Sequence, residues 1–349
     1  MSTESSRVER IDDGTWRGFV LRFVAVFVAS LVVALAFVVL IDPYDSGRFP
    51  GMGISGISDT NQRTANVSLG RSDKFNAAIF GNSHGQLLDP DRLTRATGLS
   101  FVQLTIPGAF APEQLAMMRW FIRHHAHIGA LVLAADQRWC REDPQPWRWF
   151  PFWLYGDSDL QYLANSLNSR SAGAAVRRIK HAMGLLQPSH PRGYDDYEAR
   201  RPPDYKFDFP PPPPPAPAPP GFDLHARAFP AIDRLAAELP ADTPFVVVFP
   251  PVYIADLPSD ARSIAVLKEC KARLARIAAE RPRGGFLDYL VDSPTTRDQA
   301  SFQDIDHYRA PIARRIEAEI AGWLNGRAAD SSDRAATGLR TGSGTRTGD

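Results

Sequence analysis

Hydrophobic and polar positions fall into distinct regimes along the chain. From Phe23 to Ile41, nineteen residues pass without a charge and without a polar face. At about 1.5 Å per residue, a helix of that length nearly matches the roughly 30 Å hydrocarbon core of a bilayer. Arg7, Arg10, Arg17 and Arg22 precede the run and only Arg48 follows closely. The positive-inside bias then leaves the N-terminus in the cytoplasm and carries the rest across. No small-residue cleavage site stands at Leu40-Ile-Asp-Pro-Tyr44, so the pattern favours an uncleaved anchor over a signal peptide. The expected layout is a cytoplasmic segment 1–18, a transmembrane anchor 19–41, and a stalk and lead-in 42–75 rich in Gly, Ser, Asp and Arg.

Beyond the lead-in, short continuous apolar runs alternate with longer amphipathic ones. The runs 76–81, 99–104, 128–135, 244–250 and 285–290 read as strands buried on both faces. The segments 111–125, 259–280 and 310–324 read as helices. In the last, Ile312, Ile316, Ile320, Trp323 and Leu324 form one stripe, and Pro311 suits the first turn. Alternation of this kind predicts an α/β domain over 76–325, with a five-stranded parallel sheet between two layers of helices. An insertion, 137–243, interrupts it at the presumed active edge. The insertion begins with the aromatic-rich Trp147–Tyr155. It ends with a nearly unbroken proline run, 210–220, which prefers a stiff polyproline II strap. The tail 326–349 has few apolar residues and reads as disordered.

Composition changes this picture little. The 349 residues carry a net charge of +1, so no global field argues for a nucleic-acid partner. The two cysteines, Cys140 and Cys270, are too few for a disulfide framework; in an oxidising compartment they could pair, which spacing alone leaves open. His124 and His127 could share a metal in principle, but neither carboxylate nor cysteine sits among them, so no metal site is expected.

Two short stretches can carry chemistry. Asn76-Ala-Ala-Ile-Phe-Gly81-Asn82-Ser83 is a buried strand that stops at a glycine and places a serine on the following turn. A helix start there supplies N–H groups that suit a developing oxyanion. More than two hundred residues on, Ser301-Phe-Gln-Asp304-Ile-Asp306-His307-Tyr308 sets a carboxylate three residues before an imidazole, a spacing that can fix the tautomer. A serine nucleophile needs such a base, and the base needs an orienting group. Asp306 is an alternative orienter.

Taken together, the Gly81-Asn82-Ser83 and Asp304-x-x-His307 stretches resemble blocks I and V of the SGNH (GDSL-like) hydrolase superfamily, over roughly 76–136 and 243–324. The likeness is closest to membrane-anchored members such as alginate O-acetylation proteins and the teichoic-acid D-alanylation protein. The resemblance implies a flavodoxin-like SGNH fold, Ser83 as nucleophile, His307 as base and then acid, and Asp304 as orienter. It implies oxyanion donors in the Ser83 N–H and the Gly108 N–H of Thr105-Ile-Pro-Gly108. Three positions depart from the family pattern: Asn82 stands for Asp, His84 for Leu, and Asp136 for an Asn donor, unless Gln137 takes that place in a shifted register. A carboxylate cannot donate unless protonated, and it repels an oxyanion. His84, in its departure from the pattern, is a candidate for substrate binding.

The expected function is therefore a membrane-anchored serine esterase or O-acyltransferase acting on a cell-envelope polysaccharide. It would sit in the inner (cytoplasmic) membrane with its main domain periplasmic or extracellular. No cofactor is implied. The expected partners are the bilayer through residues 19–41, the glycan and, for transfer, a multi-span membrane acyltransferase. The alternative is a non-catalytic scaffold or glycan-binding subunit of an envelope assembly.

Overall fold

The computed structural model describes residues 13–51, 53, 56, 61–143, 148–187, 191–202 and 204–326. The expected cytoplasmic segment up to residue 12, Trp147 and the tail beyond 326 lie outside these residues.

Five strands form one parallel sheet: β1 (Ala77–Gly81), β2 (Phe101–Thr105), β3 (Ala130–Ala134), β4 (Phe245–Phe249) and β5 (Gly285–Asp288). Their spatial order is β2-β1-β3-β4-β5, the doubly wound flavodoxin-like arrangement. Every residue of the first four strands is buried, which is why each reads as a continuous apolar run. Gly81 is level with Thr105 on one side and Ala134 on the other, so three strands end together at one rim.

Side chains alternate across the sheet. Ala78, Phe80, Leu104, Leu133, Val247 and Phe249 join the core under α2 (Gln62–Arg71), α4 (Ala111–His124), α8 (Pro230–Glu238) and α9 (Ala261–Ala279). Ala77, Ile79, Phe101, Val132, Val246 and Val248 join the core under α3 (Pro90–Thr97) and α11 (Ala310–Leu324). Local signals set the helix ends. Asp89 caps α3 by accepting from the N–H groups of Asp91 and Arg92, and Gly98 closes it in the left-handed conformation. The short α10 (Pro294–Arg297) leads from β5 toward the final loop.

Ahead of the sheet, α1 (Asp13–Ile41) runs 29 residues. Its stretch Thr15–Ile41 is long and apolar enough to span a membrane, with an 18-residue window of mean hydropathy 3.2 that is only 11% buried. Its last turn is different. Val38 and Ile41 are buried against the domain.

Among the described residues, the expected stalk and lead-in over 42–75 is folded onto the domain. Residues 62–71 are the helix α2, packed on α4 and β2. Before it, Asp42 and Asp45 are both buried, and each carboxylate is saturated. Asp42 accepts from Ser46 Oγ (2.8 Å), Tyr162 Oη (2.6 Å) and the Gly47 N–H (2.8 Å). Asp45 accepts from Arg178 (2.9 Å), Ser68 Oγ (2.6 Å), the Gly56 N–H (2.7 Å) and Arg71. The polar composition resembles a linker, but these carboxylates are folded ion-pair partners whose cations come from elsewhere in the chain.

The insertion has two parts. Helices α5 (Phe152–Tyr155), α6 (Asp159–Ser166) and α7 (Ser169–Ala182) gather beside the end of α1. The chain then crosses the carboxyl rim of the sheet. The Gln103 N–H donates to the Arg192 carbonyl at 2.7 Å, sealing the β2 edge. Gly193 follows so closely that a Cβ there would lie 2.1 Å from the Gln103 oxygen. Phe209 then packs on Tyr253, and Ala216, within the proline run, exchanges backbone bonds with Ser259 and Ala261 at the start of α9. A disulfide joins Cys140, just after β3, to Cys270 on α9.

Candidate active site

The two chemistry-bearing stretches meet at this rim. After β1, Gly81 takes φ +154°, and a Cβ there would lie 2.8 Å from the Ala134 carbonyl oxygen, so the turn requires glycine. Asn82 caps the next turn, its Oδ1 accepting from the His84 N–H at 3.0 Å. Ser83 opens a single 3-10 turn, Ser83–Gly85, and is partly exposed between buried Asn82 and buried His84.

From the other end of the chain, the Tyr308 hydroxyl donates to the His84 carbonyl oxygen at 2.6 Å. The neighbour of His307 is thereby bonded to the neighbour of Ser83. Burial pushes the Tyr308 phenol upward, so it remains a protonated donor. The His84 and His307 rings stand 5.9 Å apart, edge to face. Among the described residues no hydrogen bond reaches the Ser83 hydroxyl; such bonds often tighten only with substrate in place.

Asp304 organises the His307 loop. Its Oδ1 accepts from His307 Nδ1 (2.7 Å), the His307 N–H (2.9 Å) and the Asp306 N–H (3.0 Å). Bonding at Nδ1 leaves Nε2 as the nitrogen available to a substrate or nucleophile. Burial raises the Asp304 carboxyl, but the bond and charge of His307 and the two backbone N–H groups outweigh it and hold it below its usual range. Asp306 donates its backbone to Asp304 and does not replace it as the partner of His307 Nδ1.

The other positions singled out in the sequence are also here, with different occupations. Asp136 Oδ2 accepts from Asn82 Nδ2 and from Arg138, both at 2.6 Å, and Oδ1 accepts from the Arg138 N–H at 2.9 Å. Asn82 and Asp136 thus spend their polar atoms on each other and on the turn. The negative charge expected to repel an oxyanion is paired with a guanidinium. Gln137 Nε2 donates to the Asp256 carbonyl at 3.1 Å. Gly108, at φ +68°, lies in the turn after β2 that the Ala109 N–H closes onto the Ile106 carbonyl. His84 Nδ1 is buried and unbonded, 3.9 Å from Asp136 Oδ2. Burial lowers its pKa against the pull of Asp136, so the ring is neutral near pH 7.

Three contributors carry no periodic or motif signal in the sequence. Arg201, from the crossing segment of the insertion, donates to Asp304 Oδ2 at 2.6 Å. Tyr197, from the same segment, sets its ring 5.0 Å from that of His307 and donates its hydroxyl to the Tyr308 carbonyl at 2.8 Å. Asp256, after β4, hydrogen-bonds Asp306; burial first, and then the charge of Asp306, push its carboxyl up to about 7. Asp136 and Arg138 act on it in opposite senses.

His124 and His125 turn their Nδ1 atoms to the backbone carbonyls of Trp120 and Phe121, both at 2.8 Å. Among the described residues, no group of three His, Cys, Asp or Glu side chains gathers to hold a metal. No protein-family model matches this chain, and no curated protein matches it.

Proposed function

We propose that this chain is a membrane-anchored serine esterase or O-acyltransferase of the SGNH type, acting on acyl esters of a cell-envelope polysaccharide. The observation that carries the reading is the bond from Tyr308 to the His84 carbonyl, which sets an Asp304-oriented imidazole beside the Ser83 turn. In the proposed reaction the Ser83 hydroxyl attacks the ester carbonyl and passes its proton to His307 Nε2. The oxyanion forms against the Ser83 N–H. The carbon–oxygen bond to the departing sugar then breaks, and the sugar oxygen takes the proton from His307. An acyl-enzyme on Ser83 remains. Water or a second sugar hydroxyl attacks it, again through His307, and releases acid or a new ester. Transfer calls for exclusion of water and for an acyl donor delivered across the membrane, a task for a multi-span partner.

The location follows the same reasoning. The Arg bias ahead of the apolar run Phe23–Ile41 favours a cytoplasmic N-terminus. The Cys140–Cys270 disulfide favours an oxidising compartment for the domain, hence a periplasmic or extracellular face.

A second reading draws on one observation. Asp136, standing where the resembled family has an Asn donor, is a carboxylate that only accepts, from Asn82 and Arg138, and losing one such donor costs about 2.7–4 kcal/mol of transition-state stabilisation. That favours a glycan-binding scaffold. Treating the full-length protein with a fluorophosphonate probe separates the two. Labelling of wild type that disappears in Ser83→Ala supports the enzyme. A wild type that stays unlabelled beside a labelled control hydrolase leaves the scaffold.

A further inference from the structure

We propose that the segment 158–187, helices α6 and α7 with the turn after them, is a second membrane contact that lies on the bilayer surface beside the exit of α1. The proposal rests on the reading of α1 as a membrane span.

Position is the first argument. Helix α1 packs against both α6 and α7 at its C-terminal end. The contacts are made by the first residues after the apolar run. Tyr162 of α6 donates to Asp42 at 2.6 Å, Ser171 of α7 bonds Tyr44 at 2.9 Å, and Arg178 of α7 donates to the Asp42 carbonyl. A span that ends at Ile41 therefore holds α6 and α7 level with the headgroups.

The second argument is what these helices leave uncovered. Leu160 is 78% exposed, Met183 67% and Leu185 64%, and Leu167 and Val176 are exposed beside them. Outside α1, these residues account for most of the large apolar side chains that the described residues expose. A concentration of this kind marks an interaction surface. Helix α7 divides its faces accordingly: Ser171, Ala174, Ala175 and Arg178 turn inward, while Val176 and Lys180 face out.

Charge identifies the occupant. Within 158–187 the one acid is Asp159, paired with Arg48 at 3.1 Å; from Leu160 to Tyr194 the chain has no Asp or Glu, while Arg170, Arg177 and Lys180 lie among the apolar residues. Arg178 is turned inward and spent on Asp42 and Asp45. The Arg170 guanidinium sits 4.9 Å over the half-exposed ring of Trp149, an amphipathic pair suited to the level of lipid headgroups. Exposed apolar side chains interleaved with cations match an anionic bilayer surface.

Depth-dependent quenching tests this on the full-length protein in nanodiscs that contain anionic phosphatidylglycerol. The described chain has no free cysteine, so a single introduced cysteine reports alone. Fluorophores at Leu160→Cys, Met183→Cys and Leu185→Cys are compared with Val28→Cys, in the middle of α1, and Ala318→Cys, exposed on α11 in the opposite layer. The three test positions should be quenched by lipids spin-labelled near the headgroup, and less by lipids labelled deep in the chain. Val28→Cys should show the reverse and Ala318→Cys neither. Test positions that behave like Ala318→Cys while Val28→Cys is quenched overturn the second contact and leave the anchor standing. A fluorophore that is shielded but not quenched, as under a protein partner, overturns it equally. An unquenched Val28→Cys removes the anchor and the inference with it.

Discussion

Asp304 divides its two oxygens between the machinery and the insertion: Oδ1 holds His307 Nδ1 at 2.7 Å, and Oδ2 holds Arg201 at 2.6 Å. The imidazole is oriented by a carboxylate that is itself gripped from a segment the sheet does not require.

Asp304→Asn should therefore do more than weaken one bond. An amide at this position can donate to Nδ1 and so select the wrong tautomer. In serine triads that change lowers turnover on the order of 10⁴-fold. The expected outcome is a comparable loss in the rate of fluorophosphonate labelling of Ser83, with the melting temperature close to wild type. A labelling rate within threefold of wild type would remove Asp304 from the proposed role.

Arg201→Ala separates positioning from mere support. Without the guanidinium, Asp304 loses its partner at Oδ2 and its hold on the His307 ring loosens. The labelling rate of Ser83 should fall by about tenfold or less, roughly 1.4 kcal/mol, with the melting temperature close to wild type. Arg201→Lys should recover part of the rate. A loss of rate that only tracks a lowered melting temperature, without recovery in Arg201→Lys, would show that Arg201 only braces the loop.

Asp256 gives a pH signature in stability. Its carboxyl is raised from 3.8 to about 7 in the folded protein, chiefly by burial and then by Asp306. The folded state thus holds a proton that the unfolded state releases. Its contribution is fully present below about 4 and is lost as pH rises through 7. Asp256→Asn mimics the protonated form. Its melting temperature should match wild type at pH 4, exceed it progressively between pH 4 and 7, and keep a constant advantage above that. An equal difference at every pH would mean that Asp256 is not the titrating group.

The Cys140–Cys270 bridge closes a long loop, with a sequence separation of 130. Cross-links of this kind stabilise by about 2–4 kcal/mol, with wide scatter. The double variant Cys140→Ser, Cys270→Ser should melt several degrees lower than wild type. A reducing agent should lower wild type toward the same value and leave the variant unmoved.

The strands could be read from the sequence because they are buried on both faces: Ala77-Ala-Ile-Phe80 and Phe245–Phe249 are apolar without a break. Asp304 and His307 could be read because their relation is local. The grip of Arg201 and Tyr197 could not, since an irregular segment has no period and its contacts are set by where the strap lands. The same holds for Asp42 and Asp45, whose setting among Gly, Ser and Arg looks like a linker. Asp136 was partly within reach. Read alone it argued against an oxyanion site, yet Arg138 stands two residues away, and a turn-capping aspartate bonded to its own i+2 N–H is a familiar local motif.

The carboxylates at the foot of α1 have a consequence for supply. A flexible leash of ten residues would let a tethered domain wander over roughly 18 Å. Here Asp42, Tyr44 and Asp45 are bolted to Tyr162, Ser171 and Arg178, and no such leash exists. On the proposed reading of α1 as an anchor and of a polysaccharide as substrate, the domain is a fixed station that cannot forage, and the polymer must be brought past it, by its own growth or by another machine stationed alongside.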